Sequence, residues 1–310
     1  MKNRIKVKAP ATVSNLNCGF DILGVAIDVI NDEIIGGRTS TPGVHIRCVG
    51  EHARSLPEDP DHNTAGVAVQ HFLRFIGAHQ EGIELEIHKK MRPGSGLGSS
   101  ASSACAAVVL ANELFRRPLT RRELLPFAIL GEHAADQSFH ADNVAPCLLG
   151  GMVLIRDLLE LDVHRVYLPE GLFMAVAYPE IRILTADARG VLSPTIDLRQ
   201  MVIQSANLGA LLLGLQRSDL QLVSRSLQDV IIEPQRKQLI PGFDRVTAAA
   251  LAQGALGCGI SGAGPTVFAL CQSRNEGELC AAAMQKAFAE QGLASEVFCA
   301  GISSEGTTLC

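Results

Sequence analysis

The amino-acid sequence predicts an α+β fold in two domains, and three observations carry that expectation. The chain has 310 residues, which suits two domains better than one. Hydrophobic residues make up 47% of it, enough for a sizeable core without staples. Strand-like and helix-like segments mix along the chain without a repeated strand–helix alternation, which favours α+β over a doubly wound sheet.

The elements follow in order. Residues 5–8 alternate and then meet Pro10, so they read as a short strand entering a loop. Residues 44–49 and 83–88 also alternate and read as strands. Residues 64–75 carry apolar side chains at helical spacing, ending near Gly77. The glycine- and serine-rich run 93–103 leads straight into 104–114, which reads as a buried helix. Thr120 with Glu123 is a capping-box signature for a helix toward Gln137, which Pro126 either delays or bends. Gly150-Gly151 turns into a strand over 152–155. A composition change at 157–162 divides the chain into domains 1–157 and 158–310. Beyond it, 172–178 is an apolar strand. Residues 201–215, 220–229 and 243–253 are helices, the last closed by Gly254. Residues 256–260 and 266–270 are strands on either side of Ser261-Gly262-Ala263-Gly264-Pro265. Asn275 with Glu278 caps a last helix that ends at Gly292. No internal repeat or low-complexity segment interrupts this order.

Composition excludes several partners. Charged residues are only 19% and the net charge is −5, which argues against a nucleic-acid surface. Lys89, Lys90 and Arg92 form a short basic knot that reads as a solvated strand end. The nine cysteines are scattered without a Cys-x-x-Cys pair and read as reduced thiols of a cytoplasmic protein. Met1-Lys2-Asn3-Arg4 leads into no apolar signal region, and no uncharged apolar stretch reaches transmembrane length. The expectation is a cytoplasmic protein with a small-molecule partner, without nucleic acid or membrane.

The run Pro93-Gly94-Ser95-Gly96-Leu97-Gly98-Ser99-Ser100-Ala101-Ser102-Ser103 carries the strongest chemical signal. A loop without bulky side chains lets the backbone approach a ligand. A helix start behind it offers free N–H groups and a partial positive charge, which suit a phosphate. The Walker pattern is absent, and so is a strand-linked Gly-x-Gly-x-x-Gly with a downstream acid. A glycine-rich turn capped by serine is the plainer reading.

Two further segments point the same way: 8–24, containing Pro10-Ala11-Thr12-Val13-Ser14-Asn15-Leu16-Asn17-Cys18-Gly19-Phe20-Asp21, and 259–270, containing Ser261-Gly262-Ala263-Gly264-Pro265. This trio in this order resembles the GHMP small-molecule kinases, named for galactokinase, homoserine kinase, mevalonate kinase and phosphomevalonate kinase. The first segment, His140-Ala141-Asp142-Asn143-Val144-Ala145-Pro146 followed by Gly150-Gly151, residues 185–189 and Glu233-Pro234-Gln235-Arg236 are similar to the homoserine-kinase branch. Asn17-Cys18 departs from that pattern, at positions that are commonly Gly-Pro.

The resemblance implies a ribosomal-protein-S5-like N-terminal domain, a ferredoxin-like C-terminal domain and an active site between them. It implies MgATP as phosphate donor, L-homoserine as acceptor in threonine biosynthesis, and a homodimer. An amino-acid carboxylate wants arginine, and Arg189 and Arg236 are the family positions. Asp21 would take the ammonium, Asn15 the hydroxyl or backbone of the substrate, and His140 the pocket wall. The loop 93–103 would wrap the triphosphate, with Ser100 and Glu132 as magnesium ligands. Asn63 stands at a nucleotide-contact position, which a helix N-cap explains equally well. Asn143 would orient the hydroxyl, and Asp142 is either a base or a structural carboxylate.

Overall fold

The computed structural model describes residues 4–136 and 140–310, with the side chains of 135 and 136 left aside. Its spine is an antiparallel pair. β1 (Ile5–Ser14) lies along β2 (Leu23–Thr39), a strand of 17 residues that the sequence pattern does not reveal. Asp28, Asn31, Asp32 and Glu33 break its apolar run, so neither alternation nor helical period shows. β1 also continues past Pro10, where a loop was expected. The ladder shifts register between Pro10 and Ala11, and such a bulge accommodates a residue that has no N–H to donate.

β3 (Gly43–Val49), α1 (Thr64–Phe75) and β4 (Gly82–His88) follow where alternation and helical spacing put them. β4 pairs antiparallel with β2 and parallel with β3. α2 (Ser99–Leu114) begins five residues before the expected 104, and every residue from Ala101 to Asn112 is buried. Its alanines and serines let it sit in the middle of the first half, with α1 and α3 (Leu125–Asp136) against it. Phe72 of α1 meets Phe127 of α3 edge-on at 5.8 Å. Pro126 occupies the first turn of α3, where a missing N–H costs nothing, so the helix starts late. Upstream of it, Thr120 donates from both its N–H and its hydroxyl to Glu123 at 2.7 Å. The expected helix end at Gln137 lies outside the described residues, as do Met1, Lys2 and Asn3.

α4 (Val144–Leu149), β5 (Met152–Asp157) and β6 (Asp162–Val166) come next, with β6 hairpinned onto β5. β7 (Phe173–Pro179), α5 (Thr185–Gly190), α6 (Leu198–Arg217), α7 (Leu220–Ser226), α8 (Glu233–Arg236) and α9 (Phe243–Ala252) continue the chain. β8 (Gly257–Ile260), β9 (Val267–Cys271), α10 (Arg274–Ala289), β10 (Ser295–Ile302) and β11 (Thr308–Leu309) complete it. Ser273, not Asn275, caps α10: its hydroxyl accepts from the Glu276 N–H at 3.2 Å.

Among the described residues eleven strands share one sheet, with a path β11-β1-β2-β10-β7-β9-β8. β10 pairs with both β2 and β7, so it joins the two halves, and β11 returns from the far end of the chain to β1. One apolar cluster fills the space under α1–α3, and another lies between β7–β9 and α9–α10. A third, including Val13, Leu23, Met174, Leu211 and Phe268, draws on both halves and lies at their junction.

Candidate active site

β1 ends in a strained turn. Asn15, Leu16 and Asn17 hold φ of 72°, 45° and 60°, and Asp21 holds 62°, all in the left-handed region. Asparagine tolerates that region better than most residues, which explains how Asn17 stands where glycine is common. Asn15 ties the turn: its Oδ1 accepts from the Asp21 N–H at 3.0 Å, and its Nδ2 donates to the Gly262 carbonyl at 3.0 Å. The first and third segments singled out in the sequence are thereby joined.

Asp21 then meets residues from far along the chain. Arg189 Nη2, on α5, stands 2.8 and 2.9 Å from the two carboxylate oxygens. The same nitrogen contacts the His140 ring at 2.8 Å, and His140 Nδ1 lies 3.6 Å from Asp21 Oδ1. Arg236, on α8, is buried and donates to the carbonyls of Ala188 and Gly262 at 2.9 and 3.0 Å. Both guanidiniums face the ring of Phe20, at 5.4 and 4.9 Å from its centroid. Burial and then the Arg189 charge pull the Arg236 guanidinium below its ordinary value. Arg189 Nε is buried without a hydrogen-bond partner.

Asn143 sits at the start of α4 between two β1 hydroxyls. Its Oδ1 accepts from Thr12 at 2.7 Å, and its Nδ2 donates to Ser14 at 3.1 Å. Asp142 is buried and hydrogen-bonded to Ser14, with its carboxyl pushed up to about 7 by burial and then by the Asp21 charge. Gly98 closes against this group. A Cβ there would stand 2.0 Å from Thr12 Oγ1, and its φ of 68° disfavours a side chain in any case.

The glycine-rich loop is held from both sides. Thr12 N–H donates to Leu97 O at 3.0 Å. Ser261 Oγ and Thr266 Oγ1 donate to the carbonyls of Gly96 and Ser95, each at 2.6 Å. Gly94 and Gly96 hold φ of 74° and 81°. The first intrahelical bond of α2 runs from Ser102 N to Gly98 O, which leaves the N–H groups of Ser99, Ser100 and Ala101 without helical acceptors. Ser100 Oγ donates to Glu132 Oε1 at 2.7 Å beside that end.

Several expectations need correction. Ser99 to Ser103 are the first turns of α2, not loop, and Ala101, Ser102 and Ser103 turn inward. The side chains of those three cannot face a phosphate. Ser99 is likewise buried and donates to Met91 O at 3.2 Å. Pro93 and Gly94 lie at the outer edge, with Arg182 Cγ 3.9 Å from where a Gly94 Cβ would stand. Asn63 is engaged as the α1 cap: it accepts from Ala65 N–H at 3.0 Å and donates to Pro57 O at 2.7 Å. Lys89 does not belong to a solvated knot. It is buried, ion-paired with Asp32, and bonded to Ser99 O and to Ser103 Oγ at 2.9 Å. Asp32 also accepts from the N–H groups of Lys90 and Met91 at 2.8 and 3.0 Å and from Ser102 Oγ. This pair fixes the start of α2 from behind. The buried position of Lys89, next to the alternating strand 83–88, left no pattern in sequence.

Comparison with known proteins shows the family of the chain. Residues 63–151 match the family described as GHMP kinases N terminal domain, and 211–290 match GHMP kinases C terminal. The homoserine kinase of Chlorobium phaeovibrioides is 45% identical, covering 97% of this chain and 98% of its own. That of Chlorobaculum tepidum is 43% identical, covering 97% and 96%. The crystal structure of homoserine kinase from Cytophaga hutchinsonii superimposes with a TM-score of 0.97 at 44% identity, covering 100% of this chain and 98% of that one. With two family domains in order and relatives this similar over nearly the whole length, the chain belongs to the GHMP kinases, in the homoserine kinase group.

Proposed function

We propose that the chain transfers the γ-phosphoryl group of ATP to the side-chain hydroxyl of L-homoserine, giving O-phospho-L-homoserine and ADP in threonine biosynthesis. The observation that carries this reading is the opposition of one carboxylate and two guanidiniums, Asp21 against Arg189 and Arg236, around Phe20. An amino acid brings an ammonium for the first and a carboxylate for the others. Asn15 and Gly262 O link that cluster to β1, and Asn143 stands between Thr12 and Ser14 of the same strand.

Phosphoryl transfer needs positioning and charge neutralisation more than covalent chemistry. The hydroxyl oxygen forms a bond to the γ-phosphorus as the bond to the bridging oxygen of ADP breaks. Asn143 Oδ1 retains a second lone pair that orients the hydroxyl. Asp142 acts through Ser14, as a positioning residue for Asn143, and the proton leaves to solvent late in a loose transition state. The free N–H groups at the α2 start and the backbone of 94–98 receive the phosphates.

Ser100 Oγ and Glu132 Oε1 are hard oxygen donors at that same helix end, a set suited to magnesium, which keeps most of its waters. Ser100 and Glu132 would hold magnesium there, and the ion would supply neutralisation of phosphate charge. His140 lines the amino-acid pocket. Domain 1–157 handles the nucleotide, and 158–310 contributes both arginines. The working protein is a cytoplasmic homodimer.

A coupled ADP-release assay with L-homoserine, threonine, mevalonate and galactose tests the reading. ADP release stimulated by homoserine above the others is expected. Release that no alcohol stimulates overturns it.

A further inference from the structure

The turn that follows α2 is crowded with arginine, in the run Arg116-Arg117-Pro118-Leu119-Thr120-Arg121-Arg122. A helix C-terminus attracts cations, but the guanidiniums are not needed here as caps. Backbone N–H groups take the last carbonyls of α2. Phe115 donates to Ala111 O at 3.1 Å, Arg116 to Glu113 O at 3.0 Å and Arg117 to Asn112 O at 2.7 Å. The Asn112 side chain closes the turn, accepting from Leu119 N–H at 3.1 Å and donating to Leu119 O at 2.8 Å. Arg122 is engaged elsewhere, donating to Val163 O at 2.6 Å.

This turn forms one wall of a cavity of about 260 Å³, and β11, at the end of the sheet path, forms the other. Arg117, Arg121, Glu113 and Thr308 supply its polar lining, and Leu119 and Leu309 its apolar lining. The polar groups do not balance. Arg117 Nε donates to Glu113 at 2.6 Å, which uses the one carboxylate of the lining. Arg121 is half-buried, and among the described residues its guanidinium makes no hydrogen bond or ion pair. Burial holds it below its ordinary value, with Glu113 and then Arg117 acting in opposite directions. Thr308 Oγ1 is buried without a hydrogen-bond partner. Two guanidiniums against one carboxylate leave one positive charge and one unused hydroxyl beside the same space, and groups withdrawn from water in this way call for a partner.

We propose that this cavity is a second binding site, for a small organic anion: a carboxylate or a phosphate ester with a short aliphatic part. The Arg121 fork matches two oxygens of either group, and the Thr308 hydroxyl donates to the same group. Leu119 and Leu309 cover the aliphatic part. Pockets for drug-sized ligands span about 300–1,000 Å³, so this one takes a ligand of a few carbons. The site lies at the C-terminal end of α2, whose 16 residues put it about 24 Å from the phosphate-facing end of the same helix. It stands independently of the proposed reaction.

Titration calorimetry at constant ionic strength tests the site, with sodium butanoate and ethyl phosphate as probes. The two arms tell a carboxylate ligand from a phosphate ester. At least one probe is expected to bind wild type at millimolar concentration. Arg121→Met, which keeps the aliphatic stem, is expected to weaken that binding roughly tenfold to a hundredfold. Thr308→Val keeps the shape, removes the hydroxyl and is expected to weaken it roughly twofold to tenfold. Arg236→Met, in the amino-acid pocket, is expected to leave it unchanged. Circular dichroism of each variant checks folding, and Thr308→Val serves as the test if Arg121→Met does not fold. Absence of binding by both probes overturns the proposal. Binding that survives both Arg121→Met and Thr308→Val, or that is lost with Arg236→Met, overturns it as well. The titrations contain neither ATP nor homoserine, so failure of the proposed reaction is distinguishable from failure of this site.

Discussion

Arg189 Nη2 lies within 2.9 Å of both carboxylate oxygens of Asp21, although 168 positions separate the two residues in sequence. The pair is about one-third exposed on each side. An amino acid entering here exchanges one internal ion pair for two new ones, ammonium to Asp21 and carboxylate to the guanidiniums. A ligand with only one of those charges breaks the pair and leaves one member unmatched.

Asp21 is therefore expected to set amino-acid specificity. Wild type should discriminate against 4-hydroxybutyrate, which has the hydroxyl and carboxylate without the ammonium. Asp21→Asn keeps the shape and removes the charge. It should lower kcat/KM for homoserine roughly tenfold to a hundredfold, from loss of about 1.5–3 kcal/mol. The analogue should change little, so the ratio collapses. A ratio that does not move rules out the ammonium role.

Arg236→Met should raise the homoserine KM by a similar factor, roughly tenfold to a hundredfold, and leave the ATP KM nearly unchanged. Because Arg236 also bonds Ala188 O and Gly262 O, thermal unfolding must accompany the kinetics. Equal rises in both KM values would point to a general distortion and refute the carboxylate role.

At Gly98 the expectation is a fall in kcat. The Cβ of Gly98→Ala would collide with Thr12 Oγ1, which holds Asn143. Misplacing an orienting group by about 1 Å costs on the order of a hundredfold. The left-handed backbone adds about 1–2 kcal/mol of instability. Calorimetry beside the kinase assay separates the two effects. Full activity in the folded variant would show that Asn143 does not need this support.

Lys89→Met should destabilise the protein by about 3–5 kcal/mol, because it leaves Asp32 buried without its partner. The start of α2 loses an anchor with it, so the ATP KM should rise in whatever fraction stays folded. Denaturant titration measures the first effect. A change below about 1 kcal/mol, the range of an exposed ion pair, would contradict the buried arrangement.

Asp142 gives a pH dependence with a defined sign. Its folded carboxyl sits at about 7 and its ordinary value is 3.8, so the folded state holds a proton that the unfolded state has released. The stability this contributes is fully present below about 4 and is lost as pH rises to about 7. Integrated over that window it amounts to roughly 4 kcal/mol. Asp142→Asn stays neutral throughout, so its unfolding free energy should fall less than that of wild type between pH 4 and 7. Parallel pH profiles for the two proteins would show that Asp142 is not held protonated.

Sequence by itself determined the elements whose pattern is local and the chemistry of three segments. Alternation over 44–49 and 83–88 and helical spacing over 64–75 and 243–253 became β3, β4, α1 and α9, because each buries one face and its period records which. The glycines at 94, 96 and 98 marked a backbone that must turn left-handed. Tertiary structure alone decided the rest. β2 serves β1, β4, β5 and β10 along one strand, so its burial changes partway, with Asp32 buried while Asp28 and Arg38 are exposed. Asp32 and Lys89 look like surface charges until the fold closes them behind α2. Ser102 and Ser103 look like phosphate ligands until the helix turns them inward. Nothing near Asp21 in sequence indicates that Arg189 and His140 reach it, or that Arg189 and Arg236 both face the ring of Phe20. A residue's own neighbours set its backbone, but a charge's environment is set by whatever distant chain excludes water from it, and that is settled only when the halves pack.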